Sequence, residues 1–252
     1  MLTETFDDKT GAVINPVNFY GKRDKICDTC IVTFSNVVVE NILGKFKCEQ
    51  IAEIGSANGG IPIYRFPYKG MEIAFYMTMI TSAGAGTCIE EAHCLTGATK
   101  YIMFGSCGTL NKEITAGKLI VPTQAYRDEG FSYHYAKAQD YIVIRNAEKT
   151  AGILDELGLP YVMGKTWTTD GIYRETRGNM EKRKKEGCIA VEMECAGIQA
   201  VCDFRKLEFY NFLISGDLLD SPDWERRILG SDEEIGHQLR NFYIALELAA
   251  RI

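Results

Sequence analysis

The amino-acid sequence predicts an α/β fold, in which a central mixed β-sheet is flanked by helices. Apolar runs typical of strands alternate along the 252 residues with segments of helical spacing, and this alternation is typical of βα units. Hydrophobic residues make up 46% and charged residues 25% of the chain, as in ordinary globular proteins. The sequence contains no linker rich in proline, glycine or serine and no internal repeat. We therefore predict a single domain over residues 1–252, with residues 1–29 as an N-terminal extension.

The first half of the chain contains four apolar runs that are bounded by turn residues. They predict strands at 30–34, 61–66, 71–80 and 101–104. Helices are predicted at 37–46 and 87–95. Ser35 or Asn36 is expected to cap the first of these helices, and Gly97 is expected to end the second.

The second half of the chain continues the alternation. Strands are predicted at 118–121, 161–168, 188–191 and 209–214, and helices at 146–157, 196–204 and 232–251. Pro122 is expected to end the first of these strands because proline has no N–H to donate. Gly158 is expected to end the first helix, and Ser231 to cap the last one.

Charge and hydropathy exclude several classes of protein. A net charge of −6 provides no basic field for a phosphate backbone, so we expect no binding of nucleic acid. The longest apolar run, at 71–80, is about half the length of a membrane-spanning helix, and the N-terminus lacks the pattern of a signal peptide. We therefore expect a cytoplasmic protein without membrane association. The nine cysteines are predicted to be small core residues, since Cys27-x-x-Cys30 has no second pair to complete a zinc site.

Two glycine-containing segments follow predicted strands, where ligands bind in open α/β sheets. The glycines of Gly105-Ser-Cys-Gly108 allow an anion to approach the backbone, and Ser106 offers a hydroxyl. Thr81-Ser-Ala-Gly-Ala-Gly86 precedes a predicted helix, whose N-terminal N–H groups suit an anion. The first segment is also consistent with a plain tight turn, and the glycine spacing of the second is not that of a dinucleotide-binding fingerprint.

Two acidic segments follow other predicted strands. Val191-Glu-Met-Glu-Cys-Ala-Gly197 carries Glu192 and Glu194 beside an apolar run, where a carboxylate is costly unless it is hydrogen-bonded. A carboxylate can accept two hydroxyls at once, as a sugar diol requires, although a solvated first helical turn is an equal alternative. In Ser215-Gly-Asp217, burial of the aspartate would raise its pKa and make it a general acid; the alternative is a plain acidic loop.

Together and in this order, the segments resemble the family of purine nucleoside and uridine phosphorylases, whose fold related nucleoside hydrolases share. The resemblance extends from about Cys30 to Ile252. It implies a nucleoside phosphorylase-like fold and cleavage of the N-glycosidic bond of a nucleoside. It also implies phosphate as a co-substrate, no organic cofactor or metal, and a homo-oligomer that is a dimer or a hexamer.

The resemblance also implies a role for individual residues. Glu194 would hold the 2′- and 3′-hydroxyls of the ribose, with Met193 packed against the sugar. Asp217 would donate a proton to N7 of a purine, with support from Arg226 or Arg227. The other residues that it places around the substrate are Ser106 at the phosphate, Gly84 in the backbone lining, Cys107 and Gly108 beside the base, Ile172 and Tyr173 as stacking candidates, and Glu192.

The sequence departs from the family pattern where the phosphorylases hold phosphate with arginines. The family carries an arginine in the first loop, where this chain has Phe34-Ser-Asn-Val-Val38. It carries another just before the Gly-Ser-Cys-Gly segment, where this chain has Met103, and a third around residues 56–59, where this chain has none. Lys22, Arg23, Arg65 and Arg127 are candidates to replace them. The absence of the phosphate-binding arginines favours a hydrolase. However, the first loop also lacks the glutamate with which the hydrolases activate water, and Glu40 lies too far along the helix to take its place.

The preferred interpretation is a phosphorylase of purine nucleosides, because of Asp217 and the Ser-Cys-Gly segment. A nucleoside hydrolase is the main alternative. A uridine phosphorylase is a third interpretation, since Arg174 and Arg177 lie in the appropriate loop, although the accompanying glutamine is missing. A non-catalytic protein that binds nucleosides is the fourth, because loss of the arginines would spare the ribose site.

Overall fold

The fold is described from a computed structural model that covers residues 1–57 and 59–252. The strands are β1 (Thr29–Thr33), β2 (Glu49–Ile54), β3 (Ile61–Tyr68), β4 (Met71–Met77), β5 (Lys100–Thr109), β6 (Leu119–Asp128), β7 (Tyr141–Val143), β8 (Tyr161–Thr169), β9 (Cys188–Glu192) and β10 (Glu208–Leu218). The helices are α1 (Pro16–Tyr20), α2 (Asn36–Lys45), α3 (Ser82–Thr96), α4 (Lys112–Thr115), α5 (Ala147–Glu156), α6 (Arg177–Lys185), α7 (Cys195–Arg205) and α8 (Asp232–Ala249). Short 3-10 helices lie at Leu2–Glu4, Phe131–His134 and Ile172–Arg174.

The strands form one mixed sheet, which confirms the predicted fold class. Its order is β10-β6-β8-β9-β5-β1-β4-β3-β2, and β7 pairs with β6. Because β10 also pairs with β5, the strands β5, β10, β6, β8 and β9 close into a ring. The strands β1, β4, β3 and β2 extend from β5 as an open sheet. Helix α8 lies on β5 and β1, and α7 lies on β10 and β6.

Strand β5 runs through the Gly-Ser-Cys-Gly segment, so the alternative of a tight turn is wrong. Ser106 pairs with Ile214 of β10, and Gly108 pairs with Asp217 of β10 and Val191 of β9. Long-range pairing therefore provides hydrogen-bond partners for the backbone N–H and C=O groups that a local turn would have left exposed to solvent. A Cβ atom at position 108 would lie 2.5 Å from the Leu219 side chain and 2.8 Å from that of Val191, so a larger residue there would displace these side chains.

Two other boundaries differ from the sequence prediction. Strand β6 continues past Pro122, and its register with β8 shifts between Pro122 and Ala125, so the proline marks an irregularity rather than an end. Helix α3 begins at Ser82, which places Gly84 inside its first turn. The side chain of Thr81 caps this helix by accepting the N–H of Gly84 at 3.4 Å.

The predicted helix caps and core residues are found in the structure. Ser35 caps α2 by accepting the N–H of Val38, and Ser231 caps α8 by accepting the N–H of Glu234. All nine cysteines are free thiols, and seven of them are buried. Across residues 1–57 and 59–252, no helix combines the length and the apolar character needed to cross a bilayer.

Candidate active site

Two adjoining cavities lie where the ends of β5, β9 and β10 meet. The central cavity has a volume of about 290 Å³ and the outer cavity about 440 Å³. The predicted site residues that line the central cavity are Ser106, Cys107, Gly108, Ile172, Glu192, Met193, Glu194 and Asp217. The outer cavity is lined by Ile172, Tyr173, Glu175, Arg177, Met180, Asp217, Leu219, Trp224 and Leu229. Ile172, Glu175, Asp217 and Leu229 line both, so these side chains lie between the two cavities.

Strand pairing brings the separate sequence segments together. The parallel pairing of β10 with β5 shifts its register between Ser215 and Asp217, and this irregularity sets Asp217 opposite Gly108. At Gly216, an added Cβ would lie 3.0 Å from the Cβ of Ser106, so the backbones of β10 and β5 approach closely there. The antiparallel pairing of β9 brings Val191, and Glu192 after it, to the same place.

Glu192 anchors the N-terminus of α7. Its carboxylate accepts the N–H groups of Glu194 at 2.7 Å and Cys195 at 2.6 Å. It also accepts the hydroxyls of Thr168 and Thr166. Burial raises the pKa of Glu192, and these hydrogen bonds oppose the rise. The residue is buried, so the alternative of a solvated helical turn is wrong for it.

We expect Glu192→Ala to lower the free energy of unfolding by about 3 kcal/mol, because it leaves several buried donors without an acceptor. Urea denaturation measures this change. Glu148 is a matched control, since it is an exposed acidic residue in the first turn of α5. Glu148→Ala is expected to change stability by less than about 0.5 kcal/mol. Equal urea midpoints for the two variants would show that the carboxylate of Glu192 does not hold α7.

Glu194 is a buried carboxyl group on the wall of the central cavity. One carboxylate oxygen accepts the N–H of Thr81 at 2.7 Å, and the other accepts the N–H of Met193 at 3.2 Å. Burial, and then the adjacent charge of Glu192, raise the pKa of Glu194 to about 8. Each oxygen retains a lone pair for a further donor. The solvated first turn is therefore wrong for Glu194 as well.

Asp217 is buried at the boundary of the two cavities. The indole N–H of Trp224 donates to one of its oxygens at 2.6 Å. Burial raises the pKa of Asp217, which favours the protonated acid. The guanidinium of Arg226 instead donates to the carbonyls of Leu229 and Gly230, and that of Arg227 pairs with Glu225 at 3.5 Å. The structure thus supplies Trp224, rather than Arg226 or Arg227, as the hydrogen-bond donor to Asp217.

The side chains of Ser106 and Cys107 differ in availability. The thiol of Cys107 donates to the carbonyl of Ile214 at 3.3 Å, and burial raises its pKa well above the usual range. It is therefore a neutral wall of the cavity. Ser106 is partly exposed, and its hydroxyl has no hydrogen-bond partner among residues 1–57 and 59–252. That hydroxyl is free to bind a ligand.

Two predicted site residues lie away from the central cavity. The N–H of Gly84 is taken by the Thr81 cap, and a Cβ atom at Gly84 would lie 2.9 Å from that of Met79. Gly84 therefore packs inside α3 instead of presenting backbone to the cavity. Tyr173 is 94% exposed and lines only the outer cavity. Ile172, by contrast, lines both.

Several lining residues were not predicted from the sequence. Phe34, at the end of β1, lines the central cavity, and Trp224 and Leu229 lie in the loop between β10 and α8. Glu175 lines both cavities. Burial, and then the charge of Asp217, raise the pKa of Glu175 to about 7. None of these residues belongs to a strand or helix, so no hydrophobic period could have identified them.

Within residues 1–57 and 59–252, no lysine, arginine or histidine lines the central cavity. Arg177 lines the outer cavity, but its guanidinium donates to the carbonyls of Ser221 at 3.1 Å and Pro222 at 2.6 Å. In the described part of the chain, the ionisable acidic and basic side chains that line the central cavity are thus all carboxyl groups, apart from the Cys107 thiol. Asn58, in the stretch at 56–59 that lacks an arginine, lies outside the described residues.

The four basic residues that were candidates to bind phosphate lie away from the central cavity. Lys22 and Arg23 line a separate cavity beside β2. Arg65 pairs with Glu49 at 2.8 Å. Arg127 is buried, where it donates to the hydroxyl of Ser132 at 2.7 Å and to backbone carbonyls. None of the four lines the central cavity.

Comparison with known proteins gives consistent matches. Residues 28–250 match the profile of the phosphorylase superfamily. A purine nucleoside phosphorylase of Plasmodium falciparum is 27% identical over 197 residues, which cover 73% of this chain and 76% of that protein. A uridine phosphorylase of Thermococcus kodakarensis is 33% identical over 109 residues, which cover 42% of this chain and 39% of that protein.

The fold has a counterpart among solved structures. A 5′-methylthioadenosine/S-adenosyl homocysteine nucleosidase of Campylobacter jejuni superposes with a TM-score of 0.72 at 18% identity. The superposition covers 90% of this chain and 100% of that chain. The likeness confirms the predicted fold.

Proposed function

Because the chain belongs to the phosphorylase superfamily, we propose that it cleaves the N-glycosidic bond of a purine nucleoside in the central cavity. One observation carries the proposal. Two buried carboxyl groups with raised pKa values, those of Glu194 and Asp217, line the same cavity from different segments of the chain. Raised pKa values in a shared cavity are typical of acid–base sites.

Asp217 acts on the base. When the bond between C1′ and N9 breaks, its electron pair goes to the purine, which becomes negative. The protonated carboxyl of Asp217 transfers its proton to N7, and the base departs neutral. Burial favours this acid form, and the hydrogen bond from Trp224 orients the carboxyl group.

Glu194 acts on the sugar. In the ionised form of Glu194, its two oxygens each accept one backbone N–H, and their remaining lone pairs accept the 2′- and 3′-hydroxyls of the ribose. Hydrogen bonds of this kind strengthen as positive charge develops on the ring, so they stabilise the transition state more than the bound substrate. Met193, on the wall of the central cavity, packs against the sugar.

The nucleophile that attacks C1′ of the ribose is either water or phosphate. The central cavity is lined by four carboxyl groups, those of Glu175, Glu192, Glu194 and Asp217. A phosphate dianion would be poorly compensated beside them, whereas water carries no charge, so the lining favours hydrolysis. The water that adds to C1′ releases one proton, which balances the proton that Asp217 transfers to N7. Phosphorolysis is the second candidate, because the two relatives named above are called phosphorylases. The free hydroxyl of Ser106 is available to either nucleophile.

Product analysis tests the proposal. The chain is incubated with adenosine, inosine or uridine, with and without phosphate. We expect free purine base from the purine nucleosides, slower cleavage of uridine, and rates that change less than about twofold with phosphate. Base release that requires phosphate and yields ribose 1-phosphate would establish the second candidate. Absence of base from every nucleoside would contradict cleavage and favour a protein that only binds nucleosides.

A further inference from the structure

Glu175 lies at the junction of the two cavities, and the mechanism above does not use it. Its side chain lines the central and the outer cavity, as that of Asp217 does. The residue directly follows the 3-10 helix Ile172–Arg174, in the loop before α6. Glu175 is therefore placed beside the group that faces the departing base in the proposed function.

The carboxyl group of Glu175 is available to a ligand. Among residues 1–57 and 59–252 it has no hydrogen bond or ion pair, and the guanidinium of Arg177 in the same cavity is held by two carbonyls. A partly buried carboxyl group without a partner is costly. With its pKa raised to about 7, the group exists near neutral pH both as an acceptor and as a donor.

The two common kinds of purine differ beside N7. A 6-aminopurine presents the N7 acceptor next to an amino donor, whereas a 6-oxopurine presents N7 next to a second acceptor. When N7 of the base contacts Asp217, the adjacent 6-substituent therefore lies on the side of Glu175. The carboxylate of Glu175 suits the amino group, and its acid form suits the oxo group.

We propose that Glu175 reads the 6-substituent of the purine, so that 6-aminopurine nucleosides are preferred at high pH and 6-oxopurine nucleosides gain as the pH falls. The inference rests on the proposed function, because it needs N7 at Asp217. It makes Glu175 a residue that determines specificity, while Asp217 remains the proton donor.

Other groups around the two cavities also carry charge or titrate. They are Asp217 on β10, Glu192 on β9, Glu194 at the start of α7, Tyr173 in the 3-10 helix and Arg177 on α6. The acidic groups among them act on N7, on the ribose or on the backbone of α7, which are common to both kinds of substrate. The ratio of the two kcat/KM values therefore cancels their titration and isolates the group that contacts the 6-substituent.

The test compares kcat/KM for adenosine and inosine between about pH 5.5 and about pH 8.5. In the wild-type chain the adenosine-to-inosine ratio is expected to rise about tenfold with pH, as for one good base contact. In Glu175→Gln the ratio is expected to stay constant, because an amide offers both a donor and an acceptor. Glu181→Gln, an exposed change on α6, is the matched control and is expected to retain the wild-type dependence.

A ratio that is constant in the wild type, or that varies equally in Glu175→Gln, would overturn the inference and leave the proposed function standing. If neither nucleoside is cleaved, the proposed function fails instead. In that case, calorimetry with adenine and hypoxanthine over the same pH range decides the role of Glu175. The role is supported if the ratio of the Kd values for adenine and hypoxanthine varies with pH in the wild-type chain and not in Glu175→Gln. A ratio that is constant in the wild-type chain refutes the role.

Discussion

Replacing Glu194 with glutamine is expected to lower kcat/KM for a purine ribonucleoside by about a thousandfold. Hydrogen bonds from sugar hydroxyls to a carboxylate strengthen as the ring becomes positive, and they contribute several kcal/mol to the transition state. A neutral amide accepts such bonds more weakly and offers only one oxygen. Steady-state kinetics on the purified variant measures the loss.

The 2′-deoxynucleoside is the matched substrate for Glu194→Gln. The wild-type chain is expected to prefer the ribonucleoside, and the variant is expected to lose most of this preference, because the group that detects the hydroxyl has gone. Thermal unfolding checks the fold, since the amide oxygen can still accept the N–H of Thr81. A variant that discriminates between the two sugars as well as the wild type would refute the placement of the ribose at Glu194.

Asp217→Asn is expected to lower kcat for purine nucleosides by about a thousandfold, within the range of general acid catalysis. Asparagine can still accept the N–H of Trp224, but it has no proton to transfer. The protonated form of Asp217 is active, so kcat of the wild type falls as the pH rises through the raised pKa of this residue. In the variant, kcat is not expected to show this fall at alkaline pH.

Substrates without a basic N7 provide the control for Asp217. Uridine and a 7-deazapurine nucleoside cannot receive the proton at that position, so the wild-type chain and Asp217→Asn are expected to differ on them by less than about tenfold. Equal losses on purine and control substrates would mean that Asp217 positions the substrate and does not act as an acid. The same conclusion would follow if kcat of Asp217→Asn still fell at alkaline pH.

Much of the fold could be predicted because it follows from local pattern. Apolar runs and helical spacing located most strands and helices, and the capping chemistry of Ser35 and Ser231 is local to two helix starts. The order of the acidic and glycine-rich segments also predicted a shared site. The structure places Glu194 and Asp217 on the same cavity, as that order required. Their catalytic roles remain predictions.

The remaining features depend on contacts between distant segments. A Gly-Ser-Cys-Gly sequence is locally typical of a turn, and only pairing with β9 and β10 makes it a strand. Gly84 lies in α3 because Thr81 caps the helix, and the N–H of Thr81 is itself bound by the distant carboxylate of Glu194. Glu175 and Trp224 lie in loops, where an acidic or aromatic residue leaves no periodic signal. Their importance follows from the cavities that they line.

The closed ring of strands has a consequence for substrate entry. In a ring, each strand has a neighbour on both sides, and the pairing of β5 with β10 holds Ser106 opposite Ile214 and Asp217 opposite Gly108, so neither can shift without breaking that ladder of hydrogen bonds. These groups are therefore preorganised, and little conformational entropy is lost there when a ligand arrives. We therefore expect any adjustment of the cavity lining during substrate entry to occur in the loops that carry Glu175 and Trp224.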